Sequence, residues 1–443
     1  MGSPSTPARG VGVGRRRHPH PELTTEGPAE PHAKVRSKVG RRHDHEVRAL
    51  FTFTGGAGHF LPTLPIARAL AARGHEVAFS AQEAMLAVVR ATGFNAIGSG
   101  GRTVADPATR RPLLPVDRLH EQRVMREVFA GRIARERAGR LLTVAGHWHP
   151  DLIVRDEVDF GAAVAAERLG IPHVSIIVLA AGGLIRSNLV GEHLDALRAE
   201  HGLPADAKQQ MLHRHLTLVP IPAVFRTPND PLPPTAHHIR PAVLDASTIT
   251  QDQTEESLTF DRFIEKTDRP TIYLTLGTIF HQESGDLFAR VLAGLSELNV
   301  NVIMTVGREI DPAELGPQAT NVHVERFVPQ ELLLPHCDLV VSNAGSGSVI
   351  GALAFGVPLV LLPMGADQPL NAERCDALNV ARVLDPLTAR PRDITDAANE
   401  VLHTPTYREA ALRIREGVTR LPTSDQAAAM IEDLSTIRMD PVP

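Results

Sequence analysis

Six consecutive residues, Asn343-Ala344-Gly345-Ser346-Gly347-Ser348, matter for how little they carry. Their side chains are small, so a ligand can come close to the backbone. Ahead of them the apolar run Leu339-Val340-Val341 reads as a short buried strand. Behind them Val349, Ile350, Leu353 and Ala354 recur at helical spacing, until Gly356 and Pro358 stop the helix. A strand that feeds a helix through so small a turn leaves the first helical N–H groups unpaired, at the positive end of the helix dipole. An anion, above all a phosphate, is stabilised there without a metal. A tight strand-to-helix connection with no ligand satisfies the same pattern. A second apolar strand over 358–363 follows, and then a polar loop with Asp367 and Gln368.

Such a turn needs an α/β frame to position it, and the ordered chain opens with one. Residues 48–53 read as a strand, followed by Gly55-Gly56-Ala57-Gly58-His59. A helix over 62–73 comes next, with Leu64, Ala67, Leu70 and Ala71 on its apolar face and Gly74 at its end, and then a strand over 76–80. This glycine-rich loop is a poor dinucleotide fingerprint. Gly56 and Gly58 fit two of its positions, but Leu61 takes the third, and the next strand ends in Phe79-Ser80-Ala81 rather than in an acid for a ribose. A buried strand over 150–156 ends in Asp156, and a helix over 161–169 follows it. Residues 270–278 form a strand that opens a second βαβ unit, with a helix over 287–298 and a strand over 301–306. Residues 81–149 and 182–235 look less regular; they hold Arg110, Arg111, Arg123, Arg126 and the lone Trp148. The chain closes with helices near 394–402 and 426–434.

At 443 residues, 43% of them hydrophobic, the chain has room for two domains with sizeable cores. A net charge of −5 gives no support for nucleic-acid binding. Cys337 and Cys375 are too few for a disulfide framework, so a cytoplasmic protein is the expectation. No apolar run reaches membrane-spanning length; the longest is broken by Gly182-Gly183. Residues 1–46 are rich in Pro, Arg, Gly, His and Ser without a period, which reads as a disordered tail.

The stretch from Cys337 to Cys375 resembles the donor-binding signature of the family 1 nucleotide-sugar glycosyltransferases. The shared pattern is the small-residue turn, then Gly356-Val357-Pro358, Asp367-Gln368 and Asn371-Ala372. The resemblance implies the GT-B fold, an α/β architecture of two facing Rossmann-like domains with a cleft between them. Residues 47–240 would bind the acceptor, 241–268 would be a linker, and 269–425 would bind the donor. Residues 426–443 would supply a helix crossing back to the first domain. It also implies roles. Gly58-His59 matches the loop that supplies the catalytic base, with Gly58 beside the donor. Asp156 matches the acid that orients His59; Asp159 is the fallback, and a plain helix N-cap is the other use for Asp156. Thr278 would touch the donor phosphate. Phe327 would stack on the base, or else simply end a strand in the core. The Val328 backbone would read the base edge, with Gln330 also at the donor. Asn343, Gly345, Ser346, Gly347 and Ser348 would hold the diphosphate. Asp367 and Gln368 would hold the sugar, although Asp367 also fits a helix N-cap before Pro369.

Two departures from the family pattern bear on the donor. Asn343 stands where many members carry a His that donates to the diphosphate; an amide can still donate but carries no charge. Gly351 stands where uridine-diphosphate-using members place a Glu on the ribose hydroxyls, which leans the expectation toward a thymidine-diphosphate deoxysugar. The implied reaction is an inverting transfer to a hydroxyl of a small, largely apolar natural product, of the antibiotic-biosynthesis kind. The chain has no Asp-x-Asp motif, and no metal or other cofactor is expected. The implied partners are the nucleotide-sugar donor and a small-molecule acceptor, with neither nucleic acid nor a membrane span; a homodimer is an open option. The alternatives are a nucleotide-sugar epimerase of the same fold and a non-catalytic nucleotide-sugar-binding protein. Intact His59 and Asp156 argue against the non-catalytic reading.

Overall fold

The two βαβ openings each grow into a fully parallel sheet, and the two sheets share one strand order, extended in the first by a seventh strand. The computed structural model describes residues 46–102, 112–245, 268–277, 284–307 and 310–435. The expected tail, most of the expected linker and Thr278 lie outside the described residues. The first sheet contains β1 (Arg48–Thr52), β2 (Glu76–Ala81), β3 (Asn95–Gly98), β4 (Leu152–Asp156), β5 (His173–Ile176), β6 (Leu216–Val219) and β7 (Ala236–His238). Its order is β3-β2-β1-β4-β5-β6-β7. The second contains β8 (Thr271–Thr275), β9 (Asn301–Thr305), β10 (Val322–Glu325), β11 (Leu339–Ser342), β12 (Leu359–Leu361) and β13 (Ala381–Val383), in the order β10-β9-β8-β11-β12-β13. Helices cover both faces, and the central strands β1, β4, β8 and β11 are buried almost throughout, as the middle of a parallel sheet requires, while the outer strands β3, β7 and β10 are only partly buried. This is the two-domain α/β arrangement of the GT-B fold.

Each sheet reverses its winding direction once. In the first the reversal falls between β1 and β4, where Thr52 pairs with Arg155; in the second it falls between β8 and β11, where Thr275 pairs with Ser342. Ligands of open α/β sheets bind outside the carboxyl ends of the strands at this point, because the loops on either side diverge and leave a crevice. His59 and Asp156 follow β1 and β4. The small-residue turn follows β11.

Phe51, Phe53, Phe60 and Phe79 form the centre of the first core, with ring centroids 5.2–6.4 Å apart. The same core takes in Ala427, Ala428, Ile431 and Leu434 from the helix Ser424–Ser435, which packs against the helix Leu64–Ala72. Arg73 holds Glu432 through two 2.7 Å hydrogen bonds, and His75 Nε2 lies 2.7 Å from the same carboxylate. Another apolar cluster runs from Ile177, Ala180, Ala181 and Phe225 to Ala344, Val349, Ala372 and Cys375, so the two halves share a buried seam. Both cysteines are free, and burial pushes both thiols up.

Two segments differ from the sequence reading. Residues 118–148 are one long helical rod rather than an irregular region: Arg118–Arg123, a π-helical stretch Val124–Ile133, and Ala134–Trp148. A further helix, Ser187–Glu200, lies within the segment 182–235, and the helix Pro405–Thr419 separates the two expected closing helices.

Candidate functional site

At the carboxyl edge of the first sheet, the loop after β1 turns through Gly55, at φ 150°, into the short helix Ala57–Phe60. A Cβ on Gly55 would sit 2.3 Å from the His59 imidazole, so the ring packs on this bare backbone. His59 Nδ1 lies 2.6 Å from Asp156 Oδ2. The Thr54 amide also donates to Asp156 Oδ2 at 3.3 Å, and the Asp159 amide donates to Oδ1 at 2.7 Å. The N-cap of the helix Phe160–Leu169 is Asp159, whose carboxylate accepts from the Ala162 amide at 3.2 Å and pairs with buried Arg137 at 2.6 Å. Asp159 is thereby committed elsewhere, and Asp156 is the partner of His59.

With Nδ1 turned to a carboxylate, Nε2 is the nitrogen that remains for a proton acceptor. The Asp156 side chain is fully buried, whereas that of His59 is 17% exposed, so the pair is reachable from the imidazole end only. Burial works against a charged His59. The Asp156 hydrogen bond and charge outweigh it, helped by Asp367 and Glu157, and the imidazole pKa ends above its ordinary value. Asp367 belongs to the second sheet's half, so the two halves already meet electrostatically at this ring.

In the second half, Ala344 turns the chain in the left-handed region, at φ 65°, and Gly345 caps the helix Ser346–Ala354 without any side-chain hydrogen bond. Nothing lies within 4 Å of where a Cβ on Gly347 would stand. The first turn of this helix is uncapped and open, as an anion site needs. Asn343 is not aimed at that space. Its Nδ2 donates to the Leu276 carbonyl at 2.8 Å and its Oδ1 accepts from the Gly345 amide at 3.3 Å, so it ties the turn to the loop after β8. It is 2% exposed.

Asp367 precedes the helix Gln368–Ala377, yet its carboxylate does not cap that helix. Its Oδ2 accepts from Ser346 Oγ at 2.6 Å and from Asn371 Nδ2 at 2.8 Å. Burial pushes its pKa up, against those two donors. Gln368 Oε1 accepts from the Met364 and Gly365 amides at 2.7 and 3.3 Å, which leaves only Nε2 for a ligand. Phe327 follows β10, is half-buried, and lies outside the apolar clusters; the Val328 side chain is in the core. A Cβ on Gly351 would meet Gln330 Oε1 at 2.8 Å, so Gln330 covers the place where a larger residue would project.

Two contributors to the site had no role assigned from the sequence, although Asn371 stood within the shared pattern. Glu157, beside Asp156, accepts the Val178 and Leu179 amides through Oε1, at 2.7 and 2.6 Å. Asn371, fully buried, joins Asp367 and Ser346 to the loop after β5. A signal for Asn371 was its spacing of four residues from Asp367, which puts both on one helix face. Among the described residues no group of three or more His, Cys, Asp or Glu side chains is arranged to hold a metal, and no helix is long and apolar enough to cross a membrane.

The chain has relatives among known proteins. Residues 289–434 match the family described as the erythromycin biosynthesis protein CIII-like C-terminal domain. The chain is 29% identical over 431 residues to 4'-demethylrebeccamycin synthase of Lentzea aerocolonigenes, covering 87% of this chain and 99% of that protein. It is 28% identical over 389 residues to L-demethylnoviosyl transferase of Streptomyces niveus, covering 85% and 95%. Among solved structures, the glycosyltransferase SnogD from Streptomyces nogalater superposes with a TM-score of 0.67 at 25% identity, covering 88% of this chain and all of that one. Spinosyn rhamnosyltransferase SpnG superposes with a TM-score of 0.72 at 21% identity, covering 88% and 100%. The order of the sheets, the place of the crevice and these relatives converge: the chain has the GT-B fold and is similar to the bacterial natural-product glycosyltransferases.

Proposed function

We propose that the enzyme transfers a deoxysugar from a thymidine-diphosphate donor to a hydroxyl of a small, largely apolar acceptor, with inversion and without a metal. The observation that carries this reading is the 2.6 Å His59–Asp156 pair at the crevice. Asp156 accepts from Nδ1 and stabilises the imidazolium, so Nε2 of neutral His59 takes the proton from the acceptor hydroxyl. The freed oxygen attacks the anomeric carbon from the face opposite the leaving group, forming the new C–O bond as the bond to the diphosphate breaks. Charge collecting on the diphosphate falls on the open N–H groups of Ser346, Gly347 and Ser348. Asp367 and the Gln368 amide hold the sugar. Phe327 offers a face to the base. Asn343 keeps the turn in shape rather than donating to phosphate.

Two features favour the thymidine donor. A carboxylate at position 351 would have to displace Gln330, so the ribose 2′-hydroxyl of a uridine donor lacks the partner that the family pattern supplies. Several relatives bear deoxysugar names, among them 3-alpha-mycarosylerythronolide B desosaminyl transferase of Saccharopolyspora erythraea at 25% identity. The test is thermal unfolding with thymidine, uridine, guanosine and adenosine diphosphates, with chelator present. A ligand that binds only the native state raises the midpoint. Thymidine diphosphate should give the largest rise; a larger rise with uridine diphosphate would sink the donor assignment, and a rise only when metal is restored would sink the metal-free reading.

A further inference from the structure

The segment 177–183, which leaves the carboxyl end of β5, has its amides divided between the two halves of the molecule. Val178 and Leu179 donate to Glu157 Oε1, and Gly183 donates to Asp230 Oδ2 at 2.6 Å, all within the first half. Between them, Ala180 donates to Ser346 Oγ at 2.8 Å and Ala181 donates to Asn371 Oδ1 at 3.0 Å, both in the second half. Asn371 then uses its Nδ2 on the other side, toward the Ala344 carbonyl at 3.0 Å, Ser346 Oγ at 3.2 Å and Asp367 Oδ2 at 2.8 Å. One buried carboxamide thus touches the turn after β11, the acid at the head of the next helix, and the loop of the opposite half.

We propose that Asn371 is a positioning residue that fixes the Asp367 carboxylate and the 177–183 loop relative to each other, so that the donor sugar and the acceptor-side loop are held in one register. The inference rests on the donor-site reading above. An amide can do this and few other side chains can: it presents an acceptor to Ala181 and donors to Asp367 and Ser346 from a single plane. Asn371 itself is fully buried, so a lost partner leaves a buried polar group unpaired. The other end of the loop is anchored by Glu157, which adjoins Asp156. The same short segment therefore runs from the neighbour of the catalytic pair to the sugar-holding acid.

The two arms of Asn371 can be separated. Asn371→Ala removes both, whereas Asn371→Asp keeps an acceptor for Ala181 and loses the donors. Hydrogen exchange of the Ala181 amide in the unliganded protein reads the first arm. Exchange should quicken by about tenfold in Asn371→Ala and stay near wild type in Asn371→Asp. Turnover of a thymidine-diphosphate sugar reads the second arm, with water or an added alcohol as acceptor. In both variants kcat should fall by about tenfold or more while affinity for thymidine diphosphate alone changes little, because the diphosphate is held by backbone groups. Circular dichroism and the unfolding midpoint establish that each variant is folded, and Asn371→Asp carries the test if Asn371→Ala is not. Unchanged Ala181 exchange in Asn371→Ala, or unchanged turnover in Asn371→Asp, overturns the inference. Failure of the wild-type enzyme to bind thymidine diphosphate would instead count against the donor reading, since the exchange measurement needs no ligand.

Discussion

The two halves of the crevice use opposite materials. The first half presents buried ionisable side chains: His59, Asp156, Glu157 and Asp159 all lie within a few residues of two strand ends, and their proton affinities are moved by burial and by one another. The second half presents a bare helix start, with Gly345 as an uncapped N-cap and open space above Gly347. Moving a proton requires a group whose pKa is tuned, and tuning needs side chains in a dry setting. Holding a diphosphate requires only fixed dipoles, and backbone N–H groups supply those with no titration. The same sheet topology serves both because what differs is confined to the loops at the reversal point.

The sharpest break in this comparison is His59→Ala. If the first half works through one tuned side chain, the rate should fall by about 10²–10⁴-fold with the fold and donor affinity retained. A near-normal kcat would remove His59 from the chemistry.

Asp156→Asn comes next, with an expected loss of about 10²-fold, the lower end for general-base catalysis, because His59 itself remains. It carries a second readout. His59 must be neutral to act as base, and its pKa is raised, so the acidic limb of kcat/KM in the wild type lies above the value for an ordinary imidazole. Removing the carboxylate takes away the hydrogen bond and charge that raise it, and the limb should move to lower pH. An unmoved limb would assign it to another group.

In the second half the prediction inverts, since backbone should matter more than side chain. Gly347→Pro deletes one N–H at the second helical position, a place where this protein already tolerates proline in the helix Gln368–Ala377, at Pro369. Donor affinity should drop by about tenfold or more. Ser348→Ala, which deletes a hydroxyl and keeps the N–H, should cost less, as measured by titration calorimetry with thymidine diphosphate. The reverse order would make this half a side-chain site as well.

The smallest effect concerns Glu157, whose carboxyl burial pushes up to about 7. The folded protein then keeps a proton that the unfolded chain releases near 4.5, so this group's contribution to stability is fully present below about 4.5 and drains away as pH climbs to about 7. Glu157→Gln keeps the acceptor for Val178 and Leu179 and has no proton to lose. Its unfolding midpoint should gain on wild type between pH 5 and pH 8, by calorimetry; a constant gap would discard the linkage.

Much of the frame was legible from the sequence because it is local. Strand, small turn and helix follow one another within 339–354, and the periodicities change where the elements change. Other features were hidden because their causes are distant in sequence. Whether Asp156 or Asp159 faces His59 turns on Arg137, which claims Asp159 from a helix 22 residues earlier. That same buried Arg137 breaks the apolar face of the rod 118–148, and the π-helical turn within it shifts the period, so the rod reads as irregular. The partner of Asn343 is the Leu276 carbonyl, 67 positions away. An Asn beside a glycine-rich turn looks like a ligand donor until that carbonyl is in place. The helix Pro405–Thr419 was missed because it begins one residue after the helix Pro391–His403 ends, with only Thr404 between them.

The helix Ser424–Ser435 has a consequence for how the protein is made. Its apolar residues complete the core around the helix Leu64–Ala72, and its Glu432 meets Arg73 across 359 positions of chain. During synthesis the first half therefore emerges early and waits, with a greasy trough along its first long helix, until nearly the whole polypeptide has left the ribosome. A message cut short before codon 424 would yield a product whose second sheet keeps all its strands and whose first half is the one left uncovered, prone to aggregation and proteolysis.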